Sequence, residues 1–130
     1  MTATKSAPVL AVDDSASIRE MIATVLTAHG YRVETAGDGK DALSHLRAAA
    51  EPYIVLLDVV MPLLDGIAVV HEIEADPHLR DSHHQIILMS STVRMSQPDI
   101  PQSVGQLAKP FTRQRLLEVV ADAQRVTHAE

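Results

Sequence analysis

Tyr53-Ile54-Val55-Leu56-Leu57-Asp58-Val59-Val60-Met61-Pro62-Leu63-Leu64-Asp65-Gly66 is the stretch that decides the fold. Its unbroken apolar run, residues 53–57, leads directly into Asp58. Such a run is typical of a strand that is buried on both faces of a parallel sheet. Pro62 ends the strand, so Asp58 lies at its carboxyl end, where open α/β sheets bind ligands. An ionised carboxylate is costly to bury, so an acidic residue at this place indicates a function.

The composition limits the classes of function that are open to the chain. A length of 130 residues is enough for one domain with a single core. The net charge of −6 and the pI of about 5.6 argue against binding to nucleic acid or to an anionic membrane. There is no cysteine, which excludes disulfides and thiolate chemistry. No apolar run has the length of a membrane span and no signal peptide precedes the first strand, so a cytoplasmic protein is expected.

Apolar runs alternate with helical patterns along the chain, which is typical of a parallel α/β sheet. Strands are predicted at residues 8–12, 31–36, 53–57, 85–89 and 104–108, with the second near an edge of the sheet. Helical spacing of apolar residues is found at 18–26, 42–50, 65–76 and 116–123. Residues 78–84 are predicted to be a polar loop. The pattern places a disordered tail at residues 1–7, one domain at 8–127 and a short tail at 128–130.

Side chains able to cap helices stand before three of these helical patterns. Asp14 or Ser15 is predicted to cap the first helix, Asp65 the third and Thr112 the last. Gly30 is a natural stop for the first helix. Helix capping is also the plain alternative to a metal site for the pair Asp13-Asp14.

Polar residues stand at the ends of four predicted strands. Because these ends share one edge of a parallel sheet, residues far apart in sequence can meet there. Clustered carboxylates would raise one another's pKa unless a cation joins them, and an oxygen-only ligand set suits Mg²⁺ better than Zn²⁺. A metal and a lysine would fit a dianionic phosphoryl group, with a carboxylate as nucleophile to give an aspartyl-phosphate. The residues concerned are Asp13, Asp14, Asp58, Ser90 and Lys109.

These residues resemble the receiver domains of two-component response regulators. The motifs are V-D-D-S-A-S-I-R at 12–19, D-V-V-M-P-L-L-D-G at 58–66, Ser90 and K-P-F at 109–111. Together they are highly specific, and the resemblance covers residues 8–126. It implies a doubly wound five-stranded parallel sheet of the flavodoxin-like order 2-1-3-4-5 with helices on both faces.

The resemblance also implies a role for each residue of the acidic group. Asp58 would be the phosphoacceptor, and its donor would be a sensor histidine kinase or a histidine phosphotransfer protein. Asp14, Asp58 and the backbone carbonyl of Val60 would bind Mg²⁺ directly. Asp13 would act on the metal largely through water.

Two further positions would contact the phosphoryl group in the phosphorylated protein. Ser90 would donate a hydrogen bond to one phosphoryl oxygen, and Lys109 would pair with another. The resemblance implies a cis peptide bond between Lys109 and Pro110, which aims the amine into the site.

The chain departs from the family at two places. The family carries a switch aromatic three residues before its lysine, where this chain has Gln106. Residues 91–103 contain Pro98 and Pro101, so the fourth helix expected there is short or irregular. The resemblance therefore implies intact phosphorylation chemistry with an altered route of output.

The leading interpretation is a stand-alone, monomeric receiver domain that works as a signalling switch and not as an enzyme. It would catalyse its own phosphorylation and dephosphorylation and act through a downstream protein target, with no nucleic acid or membrane partner. One alternative is a degenerate receiver that serves as a phosphorylation-independent interaction module. Another is a flavodoxin-like cofactor binder, although Asp13-Asp14 occupies the place of its phosphate loop. A zinc site at His78, His83 and His84 is less favoured than a plain polar loop.

Overall fold

The computed structural model describes residues 7–91 and 105–127, leaving aside the side chains of residues 126 and 127. In these ranges five parallel strands form one sheet of order β2-β1-β3-β4-β5, which confirms the predicted order and the edge position of the second strand. The strands are β1 (Val9–Val12), β2 (Val33–Ala36), β3 (Ile54–Asp58), β4 (Gln85–Ser90) and β5 (Gly105–Ala108). The helices are α1 (Ala16–Ala28), α2 (Gly39–Arg47), α3 (Gly66–Ala75), α4 (Pro77–Arg80) and α5 (Arg113–Thr127).

Successive residues of a strand point to opposite faces of the sheet, and the strands here are apolar on both faces. Helices therefore cover both faces. One face packs mainly against α2 and α3, and its buried strand residues are Leu10, Val12, Ala36, Val55, Leu57, Ile86 and Leu88. The other packs against α1 and α5, and its strand residues are Val9, Ala11, Ile54, Leu56, Ile87, Met89 and Leu107. β3 lies in the middle of the sheet with all five residues buried, as its apolar run predicts.

Side-chain caps start the helices close to the strand ends. The hydroxyl of Ser15 accepts a hydrogen bond from the Ile18 N–H at the start of α1. Asp65 caps α3 and Thr112 accepts from a backbone N–H at the start of α5, as predicted. Gly30 follows α1 with a φ of +89°, a conformation that glycine adopts without strain. These caps fix the residue at which each helix begins after the strand that precedes it.

The prediction of a polar loop over residues 78–84 is wrong in its first part, where the structure contains the short helix α4. Asp76 caps this helix by accepting from the His78 N–H at 3.0 Å, and Pro77 occupies its first turn, where proline is tolerated. Leu79 is buried against the core. One apolar residue among polar neighbours gives no helical period, which is why the spacing pattern missed α4.

Two predicted boundaries are also corrected. α2 ends at Arg47 instead of continuing through residue 50, although Ala49 still packs against the core from outside the helix. The sequence predicts Ala7 to lie in the disordered tail, but it is buried, and its backbone exchanges two hydrogen bonds with Gln124 of α5. The predictions for the remaining tail residues and for the fourth helix fall on residues outside the described ranges. Within the described residues, the structure contains no helix that could span a membrane.

Candidate functional site

Three carboxylates meet at the carboxyl edge of the sheet. β1 and β3 are adjacent and parallel, and Val12 lies opposite Leu57. The next residue of each segment is an aspartate, so Asp13 and Asp58 lie side by side. Each of Asp13, Asp14 and Asp58 offers an oxygen that lies within 4.8 Å of the other two. Asp13 and Asp58 are buried, with 1% and 5% of their surface exposed, whereas Asp14 is exposed to solvent. The cluster is therefore open on one side only.

The amine of Lys109 bridges the two buried carboxylates. Its Nζ donates to Oδ2 of Asp13 at 2.8 Å and to Oδ1 of Asp58 at 3.2 Å. Lys109 directly follows β5, and its backbone N–H donates to the carbonyl of Ser90 at 2.8 Å. Burial acts to lower the pKa of Lys109, but the hydrogen bond and charge of Asp13 and the charge of Asp58 raise it above its usual value. The amine is thus protonated at neutral pH and supplies a positive charge within the site.

The carboxylate of Asp58 is held in an electrostatically unfavourable place. Burial raises its pKa above the usual value, and the negative charge of Asp13 raises it further. Lys109 and the backbone N–H of Val60, which donates to this carboxylate, only partly offset the increase. Added positive charge would therefore stabilise the ionised form of Asp58.

Backbone and side-chain contacts fix the loop after β1. Oδ1 of Asp13 accepts from the Ser15 N–H at 2.9 Å, and the N–H of Asp13 donates to the carbonyl of Ala36 at 3.2 Å. The carbonyl of Asp13 accepts from Nη1 of Arg19 at 2.7 Å. Sequence reasoning gave Arg19 no role. The available signal was its position near the start of α1, since side chains there point back towards the preceding loop.

The loop between β3 and α3 packs tightly beneath Asp58. A Cβ on Gly66 would lie 2.4 Å from the carbonyl oxygen of Asp58, so only glycine fits between the strand end and the helix. The Leu64 N–H donates to the carbonyl of Pro62 at 2.8 Å, which makes a γ-turn centred on Leu63. Leu63 has a φ of +71° and is fully exposed. A leucine rarely adopts this conformation, so the loop keeps its shape through its anchors at both ends.

The remaining predicted site residues occupy different surroundings. Ser90 ends β4 and is buried. Gln106 lies opposite Leu88 in the register of β4 and β5 and is exposed. Val60 is largely exposed beside Asp58. The peptide bond between Lys109 and Pro110 is cis, the isomer that the resemblance implies.

The acidic cluster suits a hard divalent cation. Its side-chain donors are all carboxylate oxygens, the ligands that Mg²⁺ prefers, and its open side leaves room for water, which Mg²⁺ usually retains. Among residues 7–91 and 105–127 it is the sole group of three or more acidic, histidine or cysteine side chains placed to hold a metal. His78, His83 and His84 do not form such a group, so the zinc hypothesis gains no support.

Known proteins give a consistent comparison. A family model described as response regulator receiver domain matches residues 9–121. A probable transcriptional regulator ycf27 of Guillardia theta is 38% identical over 111 residues, covering 83% of this chain and 41% of that protein. The chain spans about half the length of the curated relatives it matches.

Solved structures agree with this family match. A chemotaxis protein CheY4 of Vibrio cholerae is 32% identical with a TM-score of 0.74, and the match covers 90% of this chain and 98% of that one. The response regulator TrrA of Thermotoga maritima, solved in complex with Mg²⁺-BeF, is 28% identical with a TM-score of 0.76, covering 89% of this chain and 97% of that one. The similarity thus extends over most of the chain.

Proposed function

Because the chain belongs to the response regulator receiver domain family, we propose that it accepts a phosphoryl group on Asp58 in two-component or phosphorelay signalling. The donor is the phosphohistidine of a sensor histidine kinase or of a histidine phosphotransfer protein. The observation that carries the proposal is the set of three carboxylates within 4.8 Å of one another, two of which, Asp13 and Asp58, are bridged by the amine of Lys109.

The transfer itself is a nucleophilic displacement at phosphorus. A carboxylate oxygen of Asp58 forms the new P–O bond, the P–N bond of the phosphohistidine breaks, and its electron pair stays on the imidazole nitrogen, which takes a proton. Asp58 is suited to this role because it ends a fully buried strand and its carboxylate lies beside two other carboxylates and the amine of Lys109. The protein chiefly positions the reactants and neutralises charge, as in phosphoryl transfer generally.

The cluster would hold Mg²⁺ through Asp14, Asp58 and the Val60 carbonyl, with Asp13 acting largely through water. Bound Mg²⁺ would neutralise charge on the carboxylates and on the phosphoryl oxygens. Lys109 supplies a second positive charge that belongs to the chain itself. Its present bonds to two carboxylates leave it poised to pair with a phosphoryl oxygen carried by Asp58.

Output is proposed to depend on contacts with a downstream protein. Phosphorylation adds charge at the strand ends, and the buried hydroxyl of Ser90 is the proposed donor to a phosphoryl oxygen. Gln106 stands in place of the switch aromatic, so the signal must leave by another route. The single-domain, monomeric and cytoplasmic arrangement expected from the sequence stays a prediction.

The proposal is tested by phosphorylation with acetyl phosphate, followed as the mass of the intact protein. The wild type should gain one phosphoryl group in the presence of Mg²⁺ and none in the presence of EDTA, and Asp58→Asn should gain none. Asp65→Asn is the matched control, because it removes a nearby acidic charge that caps α3 but does not belong to the cluster. If the folded wild type stays unmodified with Mg²⁺, the phosphorylation-independent interaction module becomes the better account.

A further inference from the structure

We infer that Arg19 is a positioning residue for the metal site, and this inference rests on the function proposed above. Nη1 of Arg19 donates to the backbone carbonyl of Asp13 at 2.7 Å. That carbonyl belongs to the peptide unit that joins Asp13 to Asp14. Holding it therefore fixes the orientation of the backbone that carries both carboxylates.

The contact completes the restraint of Asp13 on every side. Its N–H donates to Ala36 and its carboxylate accepts from Ser15 and from Lys109. The carbonyl is the remaining polar group of the residue, and the bond to Arg19 is charge-assisted and short. Asp14 is exposed and follows this peptide unit directly.

The guanidinium also lies close to a second loop at the carboxyl edge of the sheet. Arg19 is half-buried on α1, and a Cβ built on Gly37, in the turn after β2, would lie 3.4 Å from its Nη1. The side chain thus lies between the loop that carries the acidic pair and the next loop of the carboxyl edge.

A positioning role and a purely electrostatic role for Arg19 predict opposite changes in Mg²⁺ affinity when the residue is replaced. The positive charge of Arg19 disfavours a cation bound nearby, so its removal should strengthen Mg²⁺ binding if charge alone matters. Loss of a group that orients a ligand typically weakens metal binding by about 10- to 100-fold. The sign of the change therefore distinguishes the two roles.

The test is calorimetric titration of the Mg²⁺-free full chain with MgCl₂. Arg19→Gln should raise the Kd for Mg²⁺ about tenfold, whereas Arg19→Lys, which keeps one donor and the charge, should recover part of the loss. Arg32→Gln removes an equal charge from an exposed residue that precedes β2, at the opposite end of the strands. That control should bind Mg²⁺ like the wild type.

Denaturant unfolding without Mg²⁺ separates a loss of fold from a loss of binding, and Arg19→Lys keeps the test available if the glutamine variant unfolds. Equal or tighter binding by folded Arg19→Gln would overturn the inference while the proposed function stands. Failure of Arg19→Lys to bind better than Arg19→Gln would also overturn it. A wild type that binds no Mg²⁺ would instead remove the proposed function and this inference together.

Discussion

Replacing Gly66 with alanine should disturb both the stability of the domain and the position of Asp58. The added Cβ would lie 2.4 Å from the carbonyl oxygen of Asp58 and 3.0 Å from Cα of Val59. Both contacts are to backbone atoms, so no side chain can rotate away to relieve them. The start of α3 and the end of β3 must therefore separate by about 0.5 Å or more, since packed interiors have no free space.

The size of the effect follows from two opposing contributions. Overpacking of this kind typically costs about 1–3 kcal/mol. Alanine is a better helix former than glycine by up to about 1 kcal/mol, so a net loss of about 1–2 kcal/mol in the free energy of unfolding is expected. A displacement of about half an ångström at Asp58 should slow its phosphorylation by about tenfold.

Urea unfolding and the rate of labelling by acetyl phosphate measure the two effects. Gly105→Ala is the matched control, because a Cβ there would lie 3.4 Å from a side-chain carbon of Ile87, an ordinary contact. We expect the control to lie within about 1 kcal/mol of the wild type. If Gly66→Ala were as stable and as rapidly labelled as this control, the tight packing described beneath Asp58 would be wrong.

Three further results are expected. Because the pKa of Asp58 is raised in the folded state, its contribution to the free energy of unfolding is favourable below the unfolded pKa and is lost as pH rises through the folded pKa. Asp58→Asn should therefore become more stable relative to the wild type between about pH 4 and pH 7 in Mg²⁺-free urea unfolding. If the difference in stability between the two proteins did not change with pH, the repulsion between the buried carboxylates would be refuted. Burial lowers the pKa of His84, whose Nδ1 accepts from the Tyr53 N–H at 2.9 Å, so the wild type should lose stability as pH falls below about 6.5. His84→Asn should reduce this pH dependence of urea unfolding, and an identical pH profile for the two proteins would refute the role of His84. Leu79→Ala should lower the free energy of unfolding by about 2–5 kcal/mol because the side chain is fully buried, whereas the same change at the exposed Leu63 should be nearly neutral. Equal losses of stability in urea unfolding would contradict the packing described for α4.

The sheet and the acidic edge were predictable because their signals are local. The apolar run of β3 indicates a central buried strand without knowledge of its neighbours. A polar residue after each strand indicates a common edge, since parallel strands end together. Asp13 and Asp58 lie side by side because β1 and β3 are parallel neighbours that end at the same edge, with Val12 opposite Leu57.

Contacts between distant residues could not be read from the pattern. Ala7 forms two hydrogen bonds with Gln124, which lies 117 positions further along the chain. The spacing of apolar residues in the two segments does not predict this contact. The bridge of Lys109 between two carboxylates depends on distances that only the folded sheet defines. α4 is stabilised by one buried leucine and one cap, too few residues to give a helical spacing.

The position of the covalent phosphoryl group tests the central claim most directly. After incubation with acetyl phosphate and Mg²⁺, the acyl phosphate can be trapped by borohydride reduction and located by peptide mass spectrometry. We expect a single modified residue, Asp58, and no modification when Mg²⁺ is chelated. Modification at Asp13 or Asp14 instead, or equal labelling of Asp58 without a divalent cation, would contradict the account.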